Sequence, residues 1–161
     1  ESPLRGEEFV TKKITTAVAR IKNSMQDTLF LGNLNAKRDW GHAEDYCNAM
    51  WLMLQQKNPR DFVIATGTQY SVKSFIEIVA KKLNMKILWK GKGINEKGYY
   101  NSKNIIALDK KYFRPTEVDT LLGDYSMARK YLKWKPKYNL NTLVDDMISS
   151  ELSKKIDIKK I

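Results

Sequence analysis

The sequence predicts an α/β fold, in which short apolar strands alternate with amphipathic helices. The helices are indicated by apolar residues that recur with the helical period, most clearly from Val72 to Leu83. The strands are indicated by short apolar runs, of which residues 61–66 are typical of a strand buried on both faces. With 161 residues and 42% hydrophobic content, the chain suffices for one globular domain or for part of a larger one.

In chain order, helices are predicted over residues 11–24, 43–56, 72–83 and 140–152. Thr11 and Ser71 are residue types that cap helix N-termini, so each is expected to begin its helix. The helical period turns Met25 of the first helix, and Met50 and Leu54 of the second, toward the core.

Strands are predicted over residues 28–31, 61–66, 86–89 and 104–108. Residues 90–103 are polar and rich in glycine, which predicts a long surface loop. A short helix is expected to begin at Asp124 or Ser126 and to end before Trp134, because Pro136 cannot continue it.

The net charge of +11 indicates an anionic partner, either nucleic acid or a phosphorylated small molecule. Lysines and arginines are scattered and no nucleic-acid-binding motif is present, so nucleic acid is the weaker candidate. The start of the first predicted helix, at Val10 and Lys13, is one place where backbone N–H groups favour anions. The lone cysteine, Cys47, excludes a disulfide framework and fits a cytoplasmic location. One histidine and one cysteine form no metal-ligand cluster, and no apolar run approaches the ~20 residues of a membrane span.

The densest polar chemistry lies between a predicted strand and a predicted helix, at Arg38, Asp39, Trp40 and His42. A loop of this composition is either a solvated connector or a binding site. His42 is expected to be a structural hydrogen-bonding residue rather than a general base.

Arg38 and Arg114 each lie in a loop with aromatic and acidic neighbours. A guanidinium binds phosphate through two parallel hydrogen bonds, so arginines converging from different loops would suit a diphosphate. The alternative is that each arginine pairs with a nearby carboxylate, Asp39 or Glu117. Spacing alone does not choose between these two interpretations.

Motifs of a complete active site are not found. The glycines at 91, 93 and 98 miss the spacing of a dinucleotide-binding fingerprint. Tyr-x-x-x-Lys pairs begin at Tyr99 and Tyr131, but the first lies in the predicted loop and the second ends against Pro136. On these residues alone, the chain is predicted to bind anions rather than to hold a complete set of catalytic groups.

Several segments are more specific together than any one is alone. They are SPLRGEEFVTKK (2–13), LGNLNAKRDWGH (31–42), YFRPTEVD (112–119), LLGD (121–124) and WKP (134–136). Their combination resembles the GDP-mannose 4,6-dehydratase family, a group of extended short-chain dehydrogenases/reductases, over nearly the whole chain.

The resemblance implies a lyase of nucleotide-sugar metabolism, on the route to GDP-fucose, that uses NADP to convert GDP-mannose to GDP-4-keto-6-deoxymannose. It implies that residues 1–161 are the carboxy-terminal, GDP-sugar-binding portion of an extended Rossmann-type protein. The family's NADP-binding and catalytic residues precede this portion, so no catalytic residue is expected here and the chain alone is expected to be inactive. The helix over 45–56 and the strand over 61–66 would return to the missing nucleotide-binding sheet.

The resemblance also implies roles for individual residues. Val10 and Lys13 would line the GDP site at the start of the first helix. Arg38 and Arg114 would clamp the diphosphate, and Glu117 would assist binding in the same pocket.

Arg5 would reach the cofactor. Leu4 stands where the family usually has a second arginine, and Asn35 where aspartate is common.

Family members assemble as dimers or tetramers, so a homo-oligomer is expected, with no nucleic acid or membrane as partner. The alternatives are half of a related nucleotide-sugar epimerase or reductase, and a basic module that binds nucleic acid.

Overall fold

The computed structural model describes residues 1–114 and 116–158, with side chains as far as Ser153, and it confirms the α/β class. The helices are α1 (Val10–Lys22), α2 (Ala43–Leu54), α3 (Val72–Lys82) and α4 (Leu140–Ile158). The strands are β1 (Leu29–Leu31), β2 (Lys37–Arg38), β3 (Tyr70–Ser71), β4 (Leu88–Lys90), β5 (Lys97–Tyr100) and β6 (Lys103–Leu108).

The larger sheet has four strands in the order β1-β6-β5-β4. β1 is parallel to β6, with Leu29 opposite Ile106, whereas β5 is antiparallel to both of its neighbours. A second, two-stranded sheet pairs β2 with β3, and Lys37 of β2 also forms a parallel bridge to Thr120. This bridge brings the segment after Arg114 beside Arg38.

The main core lies where α1, α3 and α4 pack on one another and on the larger sheet. Its largest fully buried side chains include Ile14, Val18, Phe75, Ile76, Val79, Ile106, Leu143 and Met147. These residues repeat with the helical period in the helices, which confirms the predicted inward faces of α3 and α4. Ser71 caps α3 as predicted, since its Oγ accepts the Ser74 N–H at 3.0 Å.

The first helix begins one residue before the predicted position, and the prediction of Thr11 as its N-cap is wrong. Phe9 occupies the N-cap position without a side-chain hydrogen bond, and Thr11 lies inside α1, where its hydroxyl donates to Glu1 Oε2 at 2.6 Å. Met25 lies beyond the end of α1 and is exposed, because the helix stops before the apolar period reaches it.

The strand predicted over residues 61–66 is not formed, since no described strand pairs with this segment. A strand requires a neighbouring strand for its backbone hydrogen bonds, and none of the described strands lies beside residues 61–66. Phe62 and Ile64 pack on a small second core formed by Ala49, Ala128, Leu132 and Trp134.

The loop predicted over residues 90–103 contains most of a β-hairpin, so that prediction is wrong. Asn101 and Ser102 adopt left-handed conformations, with φ of 47° and 63°, which form the tight turn between β5 and β6. Gly98 is buried against Ile106, where a Cβ would come within 3.1 Å of that side chain. The polar composition of the segment concealed a strand that depends on this close approach.

The face of α2 differs from the prediction, because Met50 and Leu54 are exposed rather than buried. The short helix before Trp134 is confirmed as a π-helix at Ala128–Leu132, with Asp124 Oδ1 accepting the Ser126 N–H at 2.8 Å. In the part of the chain that the structure describes, no helix has the length and apolar character to cross a membrane.

Candidate functional site

A cleft of about 490 Å³ lies between the start of α1, the segment after β1, strand β2, residues 111–114 and Glu117. All the residues predicted to bind substrate line it: Val10, Lys13, Arg38, Arg114 and Glu117. The structure therefore brings together side chains from distant segments of the sequence.

The wall formed by residues 109–113 is fixed by the end of the parallel strand pair. The Asp109 N–H donates to the Leu31 carbonyl at 2.9 Å, and a short 3₁₀-helix follows at Lys110–Tyr112. A Cβ at Gly32 would overlap the Tyr112 carbonyl oxygen. The absence of a side chain at Gly32 therefore permits this turn to pack directly against the end of β1.

Arg38 is held in place by several acceptors. Its guanidinium donates to the Glu117 carboxylate, to the Val118 carbonyl at 2.6 Å and to the Lys37 carbonyl at 2.8 Å. The local pairing of Arg38 with Asp39, one of the two interpretations open from the sequence, is not formed: Arg38 pairs instead with Glu117 from a distant segment. The pair lies at the wall of the cleft, so it is compatible with anion binding by Arg38.

Asp39 does not pair with Arg38 but binds the segment at residues 66–67. Its carboxylate accepts hydrogen bonds from the Thr66 N–H and the Gly67 N–H, both at 2.9 Å, and from the Thr66 hydroxyl at 2.5 Å. Asp39 is therefore a structural residue of the loop, while Arg38 belongs to the cleft.

His42 also has the structural role predicted for it. Its Nδ1 accepts the Glu44 N–H at 3.1 Å and thereby caps α2, and its Nε2 lies 3.0 Å from Asp146 Oδ2. The ring stacks on Tyr138, with centroids 3.8 Å apart.

The two neighbouring lysines of α1 have different environments. The buried Lys12 ammonium donates to the Glu151 carboxylate and to the Pro3 carbonyl at 2.8 Å. The Lys13 ammonium instead lies in the cleft, 3.6 Å from the centroid of the Tyr112 ring. Only Lys13 is placed to meet a ligand.

Arg114 is exposed at the rim of the cleft. Arg5, predicted to bind the cofactor, does not line the cleft: its guanidinium stacks 3.4 Å from the centroid of Phe9 and lies 3.4 Å from Glu1 Oε2.

The electrostatics of the lining favour an anion. Lys13, Arg38, Lys111 and Arg114 bring positive charge, and of the carboxylates that line the cleft, Glu117 is paired with Arg38. The pKa of Lys111 is raised, chiefly by its hydrogen bond to the Tyr112 side chain and also by the nearby Asp109 carboxylate, so this ammonium stays charged. Among the described residues, the lining of the cleft contains no histidine or cysteine.

Beneath the loop, the pKa of Tyr46 is raised to about 12, chiefly by burial and to a smaller extent by the carboxylates of Asp39, Asp45 and Glu1. Tyr46 is thus a neutral phenol at ordinary pH. It contributes to the support of the loop and not to the charge of the cleft.

Sequence reasoning missed Tyr112 and Gly32 as parts of the site. Both lie in segments already singled out, but their role depends on the approach of one turn to another. No periodicity or spacing in the sequence indicates such an approach.

Both the sequence and the structure of this chain are similar to those of known proteins. Residues 1–147 match the family model described as GDP-mannose 4,6 dehydratase. The chain is 49% identical over 164 residues to the GDP-mannose 4,6-dehydratase of Vibrio cholerae serotype O1, in an alignment that covers 94% of this chain and 44% of the relative. It is 51% identical over 154 residues to the GDP-mannose 4,6 dehydratase of Drosophila melanogaster, covering 94% of this chain and 39% of the relative. The chain thus spans less than half the length of these relatives.

Solved structures share the fold at low sequence identity. RMD from Pseudomonas aeruginosa complexed with NADPH matches with a TM-score of 0.75 and 18% identity, covering 95% of this chain and 45% of that one. The dTDP-glucose 4,6-dehydratase from Bacillus anthracis in complex with NAD matches with a TM-score of 0.71 and 14% identity, covering 97% of this chain and 43% of that one. The chain therefore has the fold of a part of each of these proteins. Because the family model matches nearly the whole sequence, the chain belongs to the GDP-mannose 4,6-dehydratase family.

Proposed function

We propose that the chain is the carboxy-terminal, GDP-sugar-binding portion of a GDP-mannose 4,6-dehydratase, and that its cleft holds the GDP part of GDP-mannose. The complete protein would be the lyase that dehydrates GDP-mannose to GDP-4-keto-6-deoxymannose with NADP. The observation that carries the proposal is the convergence of Lys13, Arg38 and Arg114 on one cleft at the start of α1.

Each of these groups suits a diphosphate. Glu117 and the Val118 carbonyl fix the Arg38 guanidinium, so less side-chain freedom is lost when it binds phosphate. Lys13 and the first N–H groups of α1, near Val10, add positive charge from the opposite side. Binding of the remote diphosphate would help to position the reacting sugar.

The catalytic residues are proposed to lie in the amino-terminal portion that the longer relatives possess. The exposed apolar face of α2, with Trp51 and Leu54, is suited to pack against that portion. NADP would be bound mainly there. The exposed guanidinium of Arg5 suits a cofactor phosphate, for which it would supply positive charge. We propose a dimer or tetramer of the complete protein, located in the cytoplasm.

The proposal is tested by measuring GDP binding to the complete protein that contains this chain, by calorimetry. Arg38→Ala is expected to weaken binding by ~1.5–3 kcal/mol, the range for hydrogen bonds to charged groups, and Arg114→Ala to weaken it as well. Arg60→Ala, which removes an exposed arginine stacked 4.0 Å from the Tyr131 ring outside the cleft, is the control.

Competition among GDP-, UDP- and dTDP-sugars completes the test. Preference for a UDP-sugar would favour a related epimerase or reductase. Equal GDP affinity of Arg38→Ala and the unchanged protein would contradict the assignment of the cleft.

A further inference from the structure

We infer that Tyr112 is a positioning residue for Lys13: its ring holds the Lys13 ammonium in the cleft, where the ammonium can meet an anionic group of the ligand. This inference rests on the proposed function, because it assigns Lys13 to the ligand's diphosphate. Tyr112 itself acts through Lys13.

The contact has the geometry of a cation–π interaction. The Lys13 Nζ lies 3.6 Å from the centroid of the Tyr112 ring, where the negative face of the ring attracts a cation. Within the described residues, Lys13 forms no ion pair and donates no hydrogen bond from its ammonium. The aromatic ring is therefore the contact that holds this long side chain.

The ring is fixed by the backbone that carries it. The Tyr112 N–H donates to the Asp109 carbonyl at 3.0 Å, and Asp109 Oδ1 accepts the Lys111 N–H at 3.0 Å. Gly32 lets the Tyr112 carbonyl pack closely on the segment after β1. The position of the ring relative to α1 is thus set by the sheet.

An aromatic ring and a carboxylate would have different effects on the ability of the Lys13 ammonium to bind an anion. A carboxylate such as Glu151, which pairs with Lys12, would compete with an anionic ligand for the three N–H donors of an ammonium, whereas the guanidinium of Arg38 has five donors and keeps some free beside Glu117. A ring restricts the side chain but leaves its charge and N–H donors for the ligand. Lys111 also lies near this ring, at 4.8 Å, but it has Asp109 as a partner at 3.7 Å. Of the two lysines, Lys13 is the one whose ammonium is restrained by the Tyr112 ring.

The test combines substitutions at both residues in the complete protein, with GDP as the probe. Tyr112→Leu is expected to raise the Kd for GDP about three- to tenfold, because Lys13 loses its restraint. Tyr112→Phe keeps the aromatic face and is expected to bind within about twofold of the unchanged protein. Once Lys13→Ala is present, adding Tyr112→Leu is expected to change the Kd by less than about twofold, because the two residues act together.

A control and a second readout separate this effect from a loss of folding. Tyr131 has the same 42% exposure as Tyr112 and lies under Arg60 outside the cleft, so Tyr131→Leu is expected to leave the Kd unchanged. Proton NMR of the ligand-free protein should show ring-current shifts of the Lys13 side chain that persist in Tyr112→Phe and vanish in Tyr112→Leu.

The outcomes distinguish the inference from the proposed function. Failure of the unchanged protein to bind GDP overturns both. If GDP binds but Tyr112→Leu has no effect, or has its full effect in the Lys13→Ala background, the positioning role of Tyr112 is overturned and the proposed function stands.

Discussion

The two cores of the molecule differ in how completely the chain encloses them. In the main core, Ile14 and Phe75 are fully buried between helices and sheet. Around the second core, α2 leaves Trp51 and Leu54 57% and 82% exposed. One region completes its own interior, while the other keeps an apolar face that no described residue covers.

The cleft is built on the enclosed region. Lys13 projects from α1, and the turn bearing Tyr112 follows β6, so both are supported by the main core. Arg38 is the last residue of β2, which precedes the loop before α2. The cleft is therefore supported by an enclosed core, although the second region of the same chain leaves an apolar face exposed.

This contrast is tested most sharply by replacing one large side chain in each region with alanine. Phe75→Ala leaves a cavity beside Trp40, whose ring centroid lies 5.1 Å away, and is expected to lower the free energy of unfolding by ~3–5 kcal/mol. Trp51→Ala removes an exposed ring and is expected to change it by less than ~0.5 kcal/mol in the isolated chain. Urea unfolding measures both, and equal losses would show that the two regions are equally enclosed.

A comparably large effect is expected from the buried ion pair of the main core. Lys12→Ala leaves the Glu151 carboxylate without its lysine partner in a buried site, which costs ~3–5 kcal/mol of unfolding free energy. Lys22→Ala, at the exposed end of the same helix, is the control and is expected to cost less than ~0.5 kcal/mol. A loss below ~1 kcal/mol for Lys12→Ala would mean that the pair contributes little to the closed core.

Asp39 connects the two regions, and its loss is expected to have an intermediate effect. Asp39→Ala leaves the Thr66 and Gly67 N–H groups without their carboxylate acceptor, at an expected cost of ~2–3 kcal/mol. Asp39→Asn keeps one carbonyl acceptor and is expected to cost less. Hydrogen exchange should become faster at residues 66 and 67 in Asp39→Ala, and unchanged exchange there would contradict this link.

The smallest effect expected is a pH dependence from Tyr46, at the junction of the regions. Because its pKa is raised from 10.0 to about 12 in the folded chain, the unfolded chain releases this proton first as the pH rises. The stabilisation is complete below pH ~10 and is lost between pH ~10 and ~12, by about 1 kcal/mol since the ring is partly exposed. Tyr46→Phe should show a smaller loss over this range, and an identical loss in both proteins would contradict the assignment to Tyr46.

How far the sequence predicts this structure depends on whether a pattern is local. The helical period and the Ser71 cap are local, and the predicted inward faces of α3 and α4 are confirmed. Strand β5 depends on Gly98 approaching Ile106, and the predicted strand over 61–66 depends on a neighbour that the described chain does not provide.

The same distinction applies to the site. Residue type and the family resemblance indicate Arg38 and Arg114 as candidate diphosphate-binding residues. The structure places both at one cleft. The pairing of Arg38 with Glu117 and the stacking of Lys13 on Tyr112 depend on distant segments meeting. Spacing along the chain offered only the adjacent Asp39 as a carboxylate partner of Arg38, and it did not indicate the stacking of Lys13 on Tyr112.

The central claim is that the cleft of the enclosed region binds the GDP part of the substrate. Hydrogen exchange of the complete protein, followed by mass spectrometry with and without GDP-mannose, tests it most directly. The account predicts protection within residues 9–13, 31–38 and 110–117, with UDP-glucose giving weaker protection at the same concentration. Protection confined to other segments, with these three unchanged, would contradict it.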